Sequence, residues 1–301
     1  MKGRAAALRT ALAGCCCIIL LAACLLFAAC CGRGAGTEAE QLQVHFLDAD
    51  QADAALLQYK GQHMLVDTGD ADGRPALVQK LKEKGVQTLD VVLISHPHGD
   101  HMGGMAALFD QFHIKQIYDN GQESRTAMYK NYVKNIARKK ISYKALKGGD
   151  KIVFAGDVVC HVLWPSAEGA AAMAVSESGR TNNQSVVCKV SFGSFSVLFT
   201  GDAQREAEEQ LLRQGRRNDL KATVLKAGHH GSRTSSSPAF LEAVRPEAAV
   251  ISCGAGNSYG FPHAAVLTAL KKQRADVYRT DRDGTISVVS DGQGYTITKE
   301  R

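Results

Sequence analysis

The chain has 301 residues, 45% of them apolar and 22% charged, an ordinary globular composition with room for a leader and one large domain. Its formal charge of +6 overstates the folded part, because Lys2, Arg4, Arg9 and Arg33 lie at the start with no acid among them. The remainder of the chain is close to neutral, which excludes a nucleic-acid binder that works by bulk positive charge; a polyanion would have to be held by a local patch.

Residues 1–31 read as a targeting segment. A basic start is followed by an apolar run from Ala11 to Cys31. Leu21-Ala22-Ala23-Cys24 and Phe27-Ala28-Ala29-Cys30 both fit a lipobox, and the second precedes Gly32-Arg33-Gly34-Ala35-Gly36, a flexible tether in a linker over 32–41. The run is also long enough to span a bilayer of about 30 Å uncleaved, with its basic end kept cytoplasmic. A lipoprotein, an uncleaved anchor and a plainly secreted protein are the three alternatives. Each places a domain over 42–301 outside the cytoplasmic membrane, and the first two tether it there by a lipid or a helix. Beyond the leader only Cys160, Cys188 and Cys253 remain. Their odd number implies no disulfide framework, and each reads as a small buried hydrophobe.

From Gln41 the pattern becomes short strands: Val44–Asp48, Ala54–Tyr59 and Met64–Asp67, with Lys60-Gly61-Gln62 as a hairpin turn. A helix over Pro75–Lys84 ends at Gly85, and a buried strand comes after it at Leu89–Ile94. A short helix runs through Phe112, and a basic amphipathic helix spans Thr126–Lys140. Strands come next at Lys151–Phe154, Val158–Leu163, Ser185–Phe192 and Ser196–Thr200, then a helix at Gln204–Gln214 and a strand at Ala222–Ala227. The last third reads strand Ala248–Ser252, helix Ala264–Arg274, then strands Asp276–Tyr278, Thr285–Val289 and Tyr295–Thr298. Mixed strands with interspersed helices suit an α/β pair of sheets clad by helices.

The chemistry concentrates in Ser95-His96-Pro97-His98-Gly99-Asp100-His101, just past a strand. His96 and His98 can turn to one point, and Asp100 and His101 to a second beside it, a layout for two metal ions. Two later strands end in similar donors: Thr200-Gly201-Asp202 presents a carboxylate, and Gly228-His229-His230-Gly231 presents imidazole. His229 is the favoured ligand of that pair, with His230 as a catalytic or substrate contact. His161, alone in a strand, reads as a packed residue.

His96-x-His98-x-Asp100-His101 resembles the HxHxDH motif of the metallo-β-lactamase superfamily. Further pieces are similar to the C-terminal domain of ComEC-type DNA-uptake proteins and their free-standing relatives: Phe46-Leu47-Asp48 with Asp53-Ala54, Asp67-Thr68-Gly69, Asn182-Asn183-Gln184-Ser185, Thr200-Gly201-Asp202, Lys226-x-Gly228-His229-His230-Gly231-Ser232, and Asn257 to His263. The similarity covers about 42 to 298 and does not extend to the channel portion of those proteins. It implies an αββα sandwich with two divalent ions, zinc or manganese, at one edge between the sheets. It further implies that Asp202 bridges them and that the position of Asn183 carries a ligand, here an amide where many members have imidazole.

Such a pair of ions, about 3.5–4 Å apart, activates water for attack on a phosphodiester or another ester. The expected hydrolase uses Asp100, Asp202 and His230 in catalysis, with Asp67 orienting an imidazole. Lys226, Ser232, Asn257, Tyr259 and His263 are expected around the substrate. DNA is the leading substrate. Another ester (a phosphocholine ester, a lactone or a β-lactam), or a non-catalytic DNA- or wall-binding module, stands as the alternative. No protein partner is evident. Two departures from the family pattern are Asp50-Gln51-Ala52 for Gly-Gln-Gly and Phe261 for a histidine.

Overall fold

The computed structural model describes residues 40–166, 177–215 and 217–301. The leader and the linker up to residue 39 lie outside the described residues. Among the described residues, fifteen strands form two sheets. The first holds β1 (Leu42–Phe46), β2 (Ala54–Tyr59), β3 (Gln62–Thr68), β4 (Thr88–Leu93), β5 (His113–Asp119) and β6 (Ser142–Ala145). The second holds β7 (Lys151–Ala155), β8 (Val158–Trp164), β9 (Val187–Phe192), β10 (Phe195–Phe199), β11 (Val224–Lys226), β12 (Ala248–Ile251) and β13 (Asp276–Arg279), before β14 (Ile286–Ser290) and β15 (Tyr295–Lys299) return to the first.

Period-2 alternation decides what each strand face meets. On β1 to β4, Val44, Phe46, Leu57, Met64, Val66 and Leu93 point between the sheets, against Cys160, Val190, Val197 and Phe199 of the second. The intervening Leu56, Leu65, Leu89 and Val92 point outward instead. There they meet α1 (Arg74–Glu83), α2 (Gly99–Met102), α3 (Met105–Gln111) and α4 (Ala127–Lys139) through Leu77, Leu81, Met102, Leu108, Phe109 and Tyr132. After α5 (Glu177–Asn183), the second sheet is covered in the same way by α6 (Arg205–Arg213), α7 (Arg217–Leu220), α8 (Pro238–Val244) and α9 (Ala264–Lys272), which bury Ala207, Leu211, Leu220, Leu241 and Leu270. A single-turn α10 (Thr280–Asp283) precedes β14. The layers run helix, sheet, sheet, helix, as expected from the sequence.

Strands β5 and β6 have no counterpart in the sequence reading. All four residues of β6 are exposed, so no apolar alternation marks it. His161 corrects another expectation: it is exposed, because its neighbours Cys160 and Val162 take the inward face of β8. The helix ends obey local chemistry. Thr126 caps α4 by accepting from the Tyr129 amide, and Lys140 closes it in a left-handed conformation.

His45 on β1 is buried, with Nδ1 2.7 Å from Ser287 Oγ. Burial, helped by the Lys84 charge, lowers its pKa from 6.5 to about 4. The folded state therefore binds fewer protons than the unfolded chain across that window, and stability falls as pH drops from about 6.5 towards 4. Thermal melts of wild type and His45→Gln over that range should show a shallower loss in the variant. Parallel curves would refute the assignment.

Candidate metal centre

Strands β3, β4 and β5 run parallel, as do β10, β11 and β12, so their carboxyl ends gather at one edge of each sheet. The ends of β3, β4, β10 and β11 and the loops leaving them carry the site's histidines and most of its carboxylates. Asp67, buried at the end of β3 with a left-handed φ of +57°, accepts from Ser95 N at 2.7 Å and Ser95 Oγ at 2.8 Å. Its Oδ2 also lies 2.9 Å from His101 Nδ1. A non-glycine residue held in that region is strained, and the surrounding hydrogen bonds hold it there. The closeness of α2 to β3 explains Gly103-Gly104: a Cβ on Gly104 would lie 2.1 Å from the Thr68 carbonyl oxygen.

His98 stands at the N-cap of α2, so Asp100 and His101 enter the first helical turn while His96 lies in the bend before it. Two donor groups result: His96, His98 and Asp202 in one, and Asp100, His101, Asp202 and His230 in the other, each with donor atoms within 4.8 Å of one another. Asp202 belongs to both. Its Oδ1 is 3.2 Å from His101 Nε2 and 3.8 Å from His230 Nε2. Its Oδ2 is 3.9 Å from His96 Nε2 and 3.6 Å from His229 Nε2. His101 Nε2 and Asp202 Oδ1 are buried without a hydrogen-bond partner. Buried polar atoms are rarely left so, and a mixed imidazole and carboxylate set facing inward suits a divalent cation such as zinc or manganese.

The electrostatics agree. Burial alone would make His230 less basic, but the Asp202 and Asp53 carboxylates outweigh it and raise its pKa to about 10. His101 is raised well above its ordinary value by Asp202, Asp100 and Asp67 against the same opposition. His96, fully buried, is held neutral by desolvation and by the His101 charge. Asp100 is drawn down to about 2, since His101 and the hydrogen bond from His230 overcome the cost of burial. This much negative charge calls for a cation, and a divalent ion binding here displaces protons from both rings.

The histidine pair corrects the expectation drawn from sequence. His229 and His230 both adopt left-handed backbone conformations, with φ of 50° and 53°. Their rings, with centroids 6.2 Å apart, approach different oxygens of Asp202. His230, expected at the substrate, is the ring packed among Asp100, His101 and Asp202, with Nε2 3.2 Å from Asp100 Oδ2. His229, expected as a ligand, sits at the rim. Its Nδ1 contacts Thr234 Oγ1 at 3.1 Å and Gln204 Nε2 at 3.3 Å, and its Nε2 faces the His96 side.

Asn183 also departs from expectation. Its Oδ1 accepts from the amides of Gln204 at 3.0 Å and Ala207 at 3.2 Å, capping α6, whose own N-cap residue Gln204 supplies no side-chain cap. Asn182 takes the site-facing position instead. It is buried, its Nδ2 lies 3.5 Å from His229 Nε2, and its Oδ1 has no partner. Spacing to Asp202 located the pair, but helical rotation within α5 decides which member faces the histidines. Asn183→Ala should cost about 1 kcal/mol, the usual worth of a cap, and lower the melting temperature by about 2–4 °C, leaving metal content unchanged. Loss of bound metal in that variant would contradict the geometry.

Four residues expected around the substrate do other work. Lys226 is buried against Asp53, Nζ to Oδ2 2.8 Å, because the β11 alternation turns it between the sheets. Ser232 is buried with Oγ 3.0 Å from Thr234 Oγ1. Asn257 clamps its own loop, donating to the carbonyls of Gly254 and Phe261 and accepting from the Phe261 amide. His263 occupies the N-cap position of α9 without a side-chain cap, and its Nδ1 accepts from the Arg233 amide. Tyr259 alone of that group is open to solvent, 64% exposed. Asp53, which the sequence reading left without a role, stands behind the site: its Oδ1 is 3.4 Å from His230 Nδ1.

Fold and site define a metal-dependent hydrolase domain of the metallo-β-lactamase superfamily, whose family model matches residues 47–133. Within it, the chain resembles ComEC-type proteins. It is 30% identical to ComE operon protein 3 of Bacillus subtilis over 81% of this chain and 32% of that protein. It is 31% identical to competence protein ComA of Neisseria gonorrhoeae over 79% of this chain and 31% of that one. Recombination protein 2 of Haemophilus influenzae is 32% identical, over 82% of this chain and 28% of that protein. The chain thus spans about a third of the length of these relatives. Among solved structures, the metallo-β-lactamase fold protein YhfI from Bacillus subtilis superimposes with a TM-score of 0.54 at 14% identity, over 79% of this chain and 96% of that one.

Proposed function

We propose that the domain is a two-metal phosphodiesterase whose substrate is a nucleic-acid strand. The observation that carries this reading is Asp202, one buried carboxylate with its two oxygens turned to two separate sets of histidines. In this reading His96, His98 and Asp202 would hold one ion, with His229 beside them, and Asp100, His101, His230 and Asp202 would hold the second. Bound divalent ions, zinc or manganese, would supply Lewis acidity that acidifies water and withdraws charge from a phosphoryl oxygen. The protein supplies the orientation. Asp67 fixes the His101 ring through Nδ1, and the Ser252 carbonyl at 3.0 Å with Asp53 fixes His230 through its own Nδ1. Asp100, whose side chain is 37% exposed, is the carboxylate of the site open to solvent. In this reading it orients the attacking water.

We further propose that the domain works outside the cytoplasmic membrane, tethered through the leader; the basic start, apolar run and lipobox sequences support this. Among the described residues no helix is long and apolar enough to cross a membrane.

The test uses the full chain, stripped of metal and then supplied with zinc or manganese, against bis(p-nitrophenyl) phosphate and single-stranded DNA. Turnover that requires added metal supports the reading. Two bound ions without turnover of either phosphodiester would refute it in favour of another ester, and no bound metal at all would favour a binding module.

A further inference from the structure

We infer that Tyr259 and Phe261 form a stacking platform that seats a nucleobase of the substrate strand beside the metal centre. This rests on the phosphodiesterase reading and names what that substrate carries. Tyr259 is the most exposed of the large hydrophobic side chains among the described residues. Its ring stacks on Phe261, with centroids 5.3 Å apart and planes within 14°. Phe261 in turn lies nearly parallel to His230, at 6.3 Å and 19°, and edge-on to His229 at 5.7 Å. Three near-parallel rings therefore lead from solvent to the histidine packed among the carboxylates of the site.

The platform is held rigid before any ligand arrives. The Asn257 side chain fastens both ends of its turn, with hydrogen bonds to the Gly254 and Phe261 carbonyls at 2.9 and 2.8 Å and from the Phe261 amide at 3.0 Å. His263 meets Phe261 edge-on at 5.2 Å and ties the loop to Arg233. An aromatic face fixed in one orientation loses little entropy on binding, and exposure of such a ring without a function costs solubility.

Neighbouring charge selects the occupant. Arg233, in the loop after β11, and Arg205, the first residue of α6, are exposed beside this platform, joined by a hydrogen bond from Arg205 Nη2 to the Arg233 carbonyl at 3.4 Å. The other end of the platform loop, at Ala255, borders a cavity of about 460 Å³ lined by five aspartates, Asp48, Asp50, Asp70, Asp72 and Asp281, against two cations, Lys80 and Arg301. A polyanion is drawn to the guanidinium side and repelled from the acidic one. Aromatic faces beside guanidinium groups are the elements by which proteins hold single strands, bases stacked and phosphates neutralised. A neutral glycan would have no use for the second element.

The test measures binding of a fluorescent single-stranded oligothymidylate to the full chain in EDTA, beside an abasic backbone of equal length. Tyr259→Ala should weaken oligothymidylate binding about tenfold and leave abasic binding unchanged, while Tyr259→Trp restores wild-type affinity. Phe261→Leu should act in the same direction as Tyr259→Ala. Equal affinity of wild type for the two probes, or an equal loss for both in Tyr259→Ala, would overturn the platform. So would tighter binding of a neutral oligosaccharide with the same sensitivity to Tyr259→Ala. Metal-dependent hydrolysis is measured in parallel. Base-selective binding without hydrolysis would keep the platform and refute the phosphodiesterase, whereas hydrolysis of the strand with unaltered affinity in Tyr259→Ala would do the reverse.

Discussion

Asp202→Ala should remove both metal ions and lower metal-dependent hydrolysis by about a thousandfold, the equivalent of about 4 kcal/mol at 1.36 kcal/mol per decade. The expectation comes from the sharing of one carboxylate. A ligand that served one group only would leave the other ion in place, as His96→Ala should do, because His96 approaches Asp202 Oδ2 alone. Asp202 Oδ1 reaches the second group through His101 at 3.2 Å and His230 at 3.8 Å, so losing the side chain strips a donor from each. The same change removes the carboxylate that most raises both rings against burial. In the metal-free variant the His230 pKa should therefore fall from about 10 towards its ordinary value, visible as a shifted imidazole titration by NMR. Elemental analysis should find fewer than one ion per chain, with circular dichroism confirming the fold. A variant that keeps two ions would show that Asp202 bridges nothing.

The location of the site was legible in the sequence because it rests on short-range patterns. The layered fold followed instead from the family resemblance, since the same strand and helix periodicity fits other α/β layouts. Apolar runs in Val44–Leu47 and Val91–Ile94 mark buried strands, and His96 to His101 packs four donors into six residues. What could not be read was the direction of individual side chains at strand ends and in short helices. Two adjacent residues differ only in backbone rotation, and at His229-His230 that rotation passes through the left-handed region, which no propensity anticipates. At Asn182-Asn183 one residue of helical rotation separates a cap from a group facing the site. One signal was present and unused. Asp53 stands at the start of the apolar stretch Ala54-Ala55-Leu56-Leu57, and Lys226 stands inside Val224-Leu225-Lys226-Ala227. Opposite charges in two segments that read as buried have to pair with something, since an isolated buried ion is far too costly.

That pair carries the other large effect. Lys226→Met should destabilise the metal-free domain by about 3–5 kcal/mol, the usual penalty for leaving one member of a buried ion pair alone, and lower its melting temperature by about 10 °C. Lys226 Nζ lies 2.8 Å from Asp53 Oδ2, with both residues almost fully buried. Burial alone would raise the Asp53 pKa, but Lys226 and then His230 hold it far below the usual carboxylate range. A depressed carboxylate contributes stability that is present above its unfolded value, near 3.9, and is lost only as pH falls below it towards the folded value. The penalty should therefore be fully expressed at neutral pH and shrink in strong acid. Urea denaturation at pH 7 and at pH 3 reads both halves of that statement.

A second variant separates stability from positioning. Lys226→Met with Asp53→Leu removes both charges and should regain most of the lost stability, because a well-packed apolar pair replaces a buried ion pair at little net cost. It should not regain metal affinity. Without Asp53, His230 Nδ1 keeps only the Ser252 carbonyl, and losing a partner behind a metal-binding ring costs about 10- to 100-fold in affinity. A double variant restored in both stability and metal binding would reduce the pair to packing. One restored in stability alone would make Asp53 the residue that aims His230, with Lys226 present to keep Asp53 ionised where it is buried.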